Sequence, residues 1–190
     1  LVCRCFLQND KAGSATARAL VDKVFTYATS HNGIEMAGMN VPGFFELWDM
    51  DNFNRDRMRD YLAIMDRQAP ANSLDGKFDP ARFFCLVGTN SKDYAVAKGA
   101  SRLLAGELSD GLVRIANAYV EGAPRAHVHR SHSGPYGIVN SEEGFQNLTR
   151  FLFGDLRVDG TLWVEALPLP QVGLVRKLLG TQVGYYFEVT

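Results

Sequence analysis

The sequence predicts an α/β fold, and three observations carry that expectation. Phe83-Phe84-Cys85-Leu86-Val87-Gly88 is a nearly unbroken apolar run, the pattern of a parallel strand covered on both faces. Residues 21–28 and 125–129 are short segments that also read as strands, the first rich in β-branched and aromatic side chains. Around these runs lie stretches with apolar residues at helical spacing, and alternation of the two periods points to a mostly parallel sheet.

The elements follow in chain order. Residues 1–8, Leu-Val-Cys-Arg-Cys-Phe-Leu-Gln, read as an apolar helix. No Ser, Thr, Asp or Asn caps its start, so it is expected to be cut from something longer. Residues 21–28 form the first strand, and Thr29-Ser30-His31-Asn32-Gly33 is a polar turn after it. Residues 34–80 are the least regular part. Within them, 54–67 carry Met58, Tyr61, Leu62 and Met65 at helical spacing. Phe44, Phe45, Leu47 and Trp48 lie nearby, and the whole stretch is either a cleft-covering excursion or one packed on the core.

Pro80 precedes the strand at 83–88. Residues 89–106 read as a loop with a short helix, and 112–118 as helix or a short extended piece. The strand at 125–129 ends in a histidine-rich loop. Ser141 opens a helix to Gly154, with Glu142 and Glu143 in its first turn, where carboxylates meet the positive helix end. Phe145, Leu148, Phe151 and Leu152 are expected to form its buried stripe. From residue 156 the texture changes. Segments 162–167 and 184–189 look like strands, expected to open a β-rich extension.

Composition narrows the function classes. A chain of 190 residues suits one domain with a sizeable core. Apolar residues make up 46% and charged residues 22%, which excludes wholesale disorder. The formal charge of -1, with scattered Lys and Arg, offers no nucleic-acid surface. Three cysteines, Cys3, Cys5 and Cys85, argue against a disulfide framework and are expected to be small apolar fillers. No apolar run approaches the roughly 18 residues of a membrane span. No leader is visible, though the chain opens without Met and one could lie upstream. The compartment stays open, with the cytoplasm favoured.

Two residues stand out for chemistry. Asp110, in Ser109-Asp110-Gly111, is followed 22 residues later by His132, in His-Val-His-Arg-Ser-His-Ser-Gly. Each follows a strand-like or mixed run, where open α/β sheets present functional side chains. A carboxylate that orients an imidazole, and an imidazole that takes a proton from a nucleophile, are two of three roles in a serine hydrolase. Read plainly, Asp110 stabilises its own turn and His132 is a polar loop residue. Asp75 and Asp93 compete as the acid, and Ser30, Ser91 and Ser101 as nucleophile. None of these serines sits in a G-x-S-x-G elbow. His127, His129 and His132 lack the Cys or Glu partner a metal site needs, so no metal is expected.

The order of these pieces resembles α/β-hydrolase lipases and esterases, of the group with a G-H-S-M-G-G-like elbow. In that group the elbow runs into a helix similar to residues 1–8, which implies a serine about three positions upstream of Leu1. Residues 21–33 resemble the family strand ending in P-H-x-G, with Ser30 in place of proline. His31 is then a structural or site-flanking residue rather than the base. Ser109-Asp110-Gly111-Leu112-Val113 resembles the S-D-G-x-V acid motif, and His132, with Gly137-Ile138-Val139 after it, resembles the base. The resemblance covers residues 1–155, with 34–80 as a cap or lid, and 156–190 match no known pattern.

The resemblance implies a truncated half of an α/β-hydrolase sheet and a carboxylic ester hydrolase. Asp110 and His132 would be catalytic, with the serine outside this chain, so the fragment alone would be inactive. No cofactor is implied. His31, Phe44, Phe45 and Trp48 would line the substrate region. The expected partners are a small-molecule or lipid ester and the N-terminal segment of the same protein, and peripheral contact with a lipid surface fits. The alternatives are a non-catalytic binding module, or an acyltransferase or amidase using the same triad.

Overall fold

In the computed structural model the described residues are 1–36, 39–40, 50–66, 68–93, 108–156, 161 and 163–166. The chain divides into two units, Leu1–Phe153 and Gly154–Thr190. The first is a mixed α/β body around a small parallel sheet.

Three strands build that sheet: β1 (Val24–Tyr27), β4 (Phe83–Gly88) and β5 (Arg125–Val128), in the order β1-β4-β5. Both pairings are parallel, with Val24 opposite Phe83 and Cys85 opposite Arg125. A separate antiparallel ribbon joins β2 (Glu35–Met36) to β3 (Met39–Asn40). The central strand β4 is covered on both faces, as its unbroken apolar run predicts. On one face, Phe83, Cys85 and Val87 pack with Leu7, Leu74, Val113, Ala118 and Val120. On the other, Leu86 packs with Ala28, Val128 and Ile138, flanked by Phe25, Tyr27 and Phe84.

Helices close both sides. Helix α1 (Val2–Gln8) delivers Leu7 to the first face. Helix α4 (Glu142–Phe153) covers the second, with the Phe151 ring 5.2 Å from Phe84 and 6.1 Å from Phe25, whereas Phe145, expected in the buried stripe, is exposed. Ser141 caps α4 by accepting from the Gly144 N–H at 3.0 Å. Lys23 holds the other end, donating to the carbonyls of Phe151 and Leu152.

Helix α3 (Arg55–Tyr61) is shorter than the expected 54–67. Ala63 takes φ +53, the Ile64 N–H donates to the Arg59 carbonyl, and the Ala63 N–H to the Asp60 carbonyl. That is a Schellman stop, with alanine where glycine usually stands. Met58, Leu62, Ile64 and Ala71 pack together against Leu1, Cys5 and Phe53. This part of the 34–80 excursion is therefore bound to α1 by an apolar cluster.

A short helix not foreseen in the sequence, α2 (Ala15–Ala19), is capped by Ser14. Residues 112–118 are a turn followed by one 3-10 turn at Ile115–Asn117 rather than a helix or strand. The strand expected at 162–167 is not formed at the described residues 163–166. The strand expected at 184–189, and Phe44, Phe45, Leu47 and Trp48, lie outside the described residues. Among the described residues, no helix is long and apolar enough to cross a membrane.

Candidate active site

The site stands at the carboxyl ends of β4 and β5. Strand β4 ends at Gly88 and β5 at Val128, and the loops after them converge. The Thr89 N–H donates to the Val128 carbonyl and the Asn90 N–H to the Arg130 carbonyl. Gly88 permits this convergence. A Cβ there would lie 2.7 Å from the Arg130 carbonyl oxygen and 2.9 Å from Asp110 Cβ, closer than side-chain carbons approach.

Asp110 sits in a closed turn. The Asp110 N–H donates to the Val113 carbonyl, the Ile115 N–H to the Leu108 carbonyl, and Ser109 bridges Arg114. Gly111 adopts φ +102, which the tight reversal requires. One carboxylate oxygen, Oδ1, accepts from the Leu112 N–H at 3.0 Å and the Val113 N–H at 2.8 Å. The turn-stabilising role expected of such an aspartate is therefore filled by Oδ1 alone.

The other oxygen is turned elsewhere. Oδ2 lies 2.9 Å from His132 Nδ1, and the His132 N–H donates to the Asp110 carbonyl at 2.9 Å. The two residues are thus joined by side chain and by main chain. A carboxylate accepts and does not donate, so Nδ1 carries the proton and Nε2 is the nitrogen able to take one. The Asp110 side chain is sealed at 1% exposure, whereas that of His132 keeps 25%. The acid is therefore sealed from solvent and the imidazole only partly covered.

The loop carrying His132 is braced internally. Ser131 is buried and its hydroxyl donates to the Ser133 and Tyr136 carbonyls. The Ile138 N–H closes onto the Ser131 carbonyl at 2.9 Å. Arg130 makes a bidentate pair with Glu143 of α4, and that guanidinium holds the Glu143 carboxyl below its ordinary range.

His31 belongs to a different cluster. It is buried, with Nε2 3.0 Å from Thr26 Oγ1 and its ring edge-on to Phe83. Burial, reinforced by the Arg4 charge, pushes its pKa well below the ordinary 6.5, so it is neutral. Arg4 itself is buried and forks three ways: to Gln8 Oε1 at 2.9 Å, the His31 carbonyl at 2.9 Å and the Ser73 carbonyl at 2.6 Å. Desolvation lowers its pKa to about 10, which leaves it charged at neutral pH. Arg4 thereby ties the start of α1 to the turn after β1, at the sheet end that also carries Asp110 and His132.

The structure brings Asp110 and His132 together and seats His31 apart in its own network. Of the competing acids, Asp93 is engaged by Asn90 Nδ2 at 2.6 Å, and Asp75 sits in a turn at φ +53. Cys85 is a buried filler whose Sγ accepts from the Val120 N–H at 3.3 Å, whereas Cys3, also expected to be buried, is exposed and Cys5 is half-buried. His127 and His129 are exposed, and no metal-holding cluster occurs among the described residues. The sequence reading missed Gly88, Arg4 and Ser131. Only Arg4 left a signal, as the one charge inside an otherwise uncharged stretch.

Chemically, the Asp110–His132 pair can accept and return a proton at one defined nitrogen. Comparison with family models, with curated proteins and with solved structures yields no match.

Proposed function

We propose that this chain supplies the acid and base of a serine ester hydrolase of the α/β-hydrolase type. The observation that carries the proposal is the contact of Asp110 Oδ2 with His132 Nδ1, at the carboxyl ends of adjacent parallel strands. It joins the two residues that the family resemblance singles out, in the chain order that resemblance implies. Arg4 adds support, because it fastens the first turn of α1 to the same end of the sheet. A serine shortly before Leu1 in the full-length protein would stand at that end.

The chemistry then runs as follows. His132 Nε2 takes the proton from the serine hydroxyl as its oxygen attacks the ester carbonyl carbon. Asp110 fixes the tautomer and stabilises the imidazolium. When the tetrahedral adduct collapses, the carbon–oxygen bond to the alcohol breaks and His132 returns the proton to the leaving alcohol. Water, deprotonated by the same nitrogen, releases the acid from the acyl-enzyme. Residues 1–190 alone would be inactive, since the nucleophile lies outside them. The substrate is an ester, with lipid esters and small acyl esters both admitted.

The test uses the full-length protein and a series of p-nitrophenyl esters of rising acyl length. His132→Ala and Asp110→Asn should each lower kcat by about 10³-fold or more. A fluorophosphonate probe should label one serine upstream of Leu1, slowly or not at all in His132→Ala. Undiminished turnover in His132→Ala would remove the role given to that residue. No labelling and no turnover in the unaltered protein would leave the polar loops to a binding module instead.

A further inference from the structure

Helix α3 begins beside the turn after β1, and the contact is unusually close. A Cβ on Gly33 would lie 2.6 Å from the Phe53 carbonyl oxygen and 3.1 Å from Arg55 Cγ, and Gly33 takes φ +81. The Ile34 N–H donates to that same Phe53 carbonyl. Glycine thus lets the excursion press against the sheet end at the level of Arg55.

Arg55 makes use of this approach. Its Nε donates to the Asn32 carbonyl at 3.0 Å and its Nη2 to Asn117 Oδ1 at 3.3 Å. Asn32 meets Asn117 twice more, side chain to side chain at 3.2 Å and N–H to carbonyl at 3.0 Å. Asn117 is 3% exposed and ends the segment that carries Asp110. Its N–H donates to the Arg114 carbonyl, Arg114 bridges Ser109, and the Ile115 N–H donates to the Leu108 carbonyl. Backbone hydrogen bonds therefore tie residues 108–117 together, with Asn117 at one end and Asp110 near the other.

The junction also carries a cost. Asn32 Oδ1 and Asn117 Nδ2 are buried with no hydrogen-bond partner among the described residues. Burying such groups unpaired is unfavourable. An apolar seam would fasten the excursion without that loss, whereas amides and a forked guanidinium fix direction as well as position.

We infer that Arg55 is a positioning residue for the Asp110–His132 pair. Its guanidinium, bracing Asn32 and Asn117 at once, holds residues 108–117 in the setting that aims Asp110 Oδ2 at His132 Nδ1. The start of helix α3 would then set the geometry of the site as well as pack on α1. The catalytic consequence rests on the hydrolase function proposed above, but the geometric one does not.

The experiment uses the full-length protein and two readouts. One is the downfield proton resonance of His132 Nδ1–H, identified by its loss in His132→Ala. The other is turnover of a short p-nitrophenyl ester. Arg55→Lys keeps the charge but cannot span both acceptors. It should weaken the resonance and lower kcat about tenfold or more, with KM within about twofold, as expected of a small misplacement of a reacting group. Adding Asn117→Asp gives the ammonium a carboxylate to hold and should recover most of the loss. If Arg55→Lys does not fold, Asn117→Ser removes the acceptor and is judged by the same two readouts. A variant that loses thermal stability while keeping the resonance and kcat would overturn the inference, as would failure of the Asn117→Asp rescue. Full turnover in His132→Ala would instead defeat the hydrolase proposal, and the resonance would still decide the role of Arg55.

Discussion

At the scale of single residues, burial decides which histidine does what. His31 and His132 are both loop histidines in the sequence, yet His31 is sealed beside a buried arginine while His132 meets a carboxylate. His31 therefore makes a pH-dependent contribution to stability, and its sign follows from the depressed pKa. The unfolded chain protonates His31 as the pH falls below about 6.5, whereas the folded chain resists until well below that. Unfolding thus takes up a proton in this window. The contribution is fully present above the unfolded value and is lost as the pH falls toward the folded one, at up to about 1.4 kcal/mol per pH unit. Urea denaturation at pH 7.5 and pH 5.5 gives the check. His31→Gln should be less stable at the higher pH, because it disturbs a packed site, but should lose less between the two. Equal losses in the two proteins would mean that His31 is not the group responsible.

At the scale of elements, the sequence is legible where an apolar run or stripe matches the faces that the fold buries. Strand β4 and helix α4 were readable for that reason. Helix α2 was not, because five residues carry no stripe and only Ser14 announces its start. Helix α3 came out shorter than its pattern because Ala63 takes a left-handed conformation that alanine does not advertise. The site divides in the same way. Asp110 and His132 were legible as polar residues in turns following strand-like runs. Gly88 and the Asn32–Arg55–Asn117 junction were not, because each acts through a close approach between segments far apart in sequence. The end of β4 tests this directly. In Gly88→Ala the new methyl group would press on the Arg130 carbonyl and on Asp110 Cβ, and both are held by backbone hydrogen bonds. The strand ends must separate, at a cost of about 1–3 kcal/mol. Separation draws Asp110 from His132, so under the hydrolase proposal ester turnover should fall by more than the stability loss alone explains. A variant with lowered melting temperature and unchanged kcat would show that the loops yield without disturbing the pair.

At the scale of the whole molecule, the sheet has two open edges among the described residues. Among the described residues, β1 and β5 each pair on one edge only. Unpaired strand edges recruit other chains, and natural sheets cover or close them. Apolar side chains add to the exposure: Val2, Leu20 and Phe153 are each more than four-fifths accessible. The connection from α1 to β1 bears on how the β1 edge is met. A strand entering α1 and returning through β1 in the same sheet would follow the right-handed crossover rule and lie along the free edge of β1, which is the arrangement the hydrolase proposal requires. Residues 1–190 expressed alone should therefore associate, with light scattering showing a mass that rises with concentration. The full-length protein at the same concentrations should stay at a fixed mass. Its β1 amides should also resist hydrogen exchange, where those of the isolated chain exchange unless association protects them. A monodisperse, cooperatively unfolding monomer of residues 1–190 would show instead that the β1 edge needs no further strand, and would take away the structural support for a nucleophile delivered from that side.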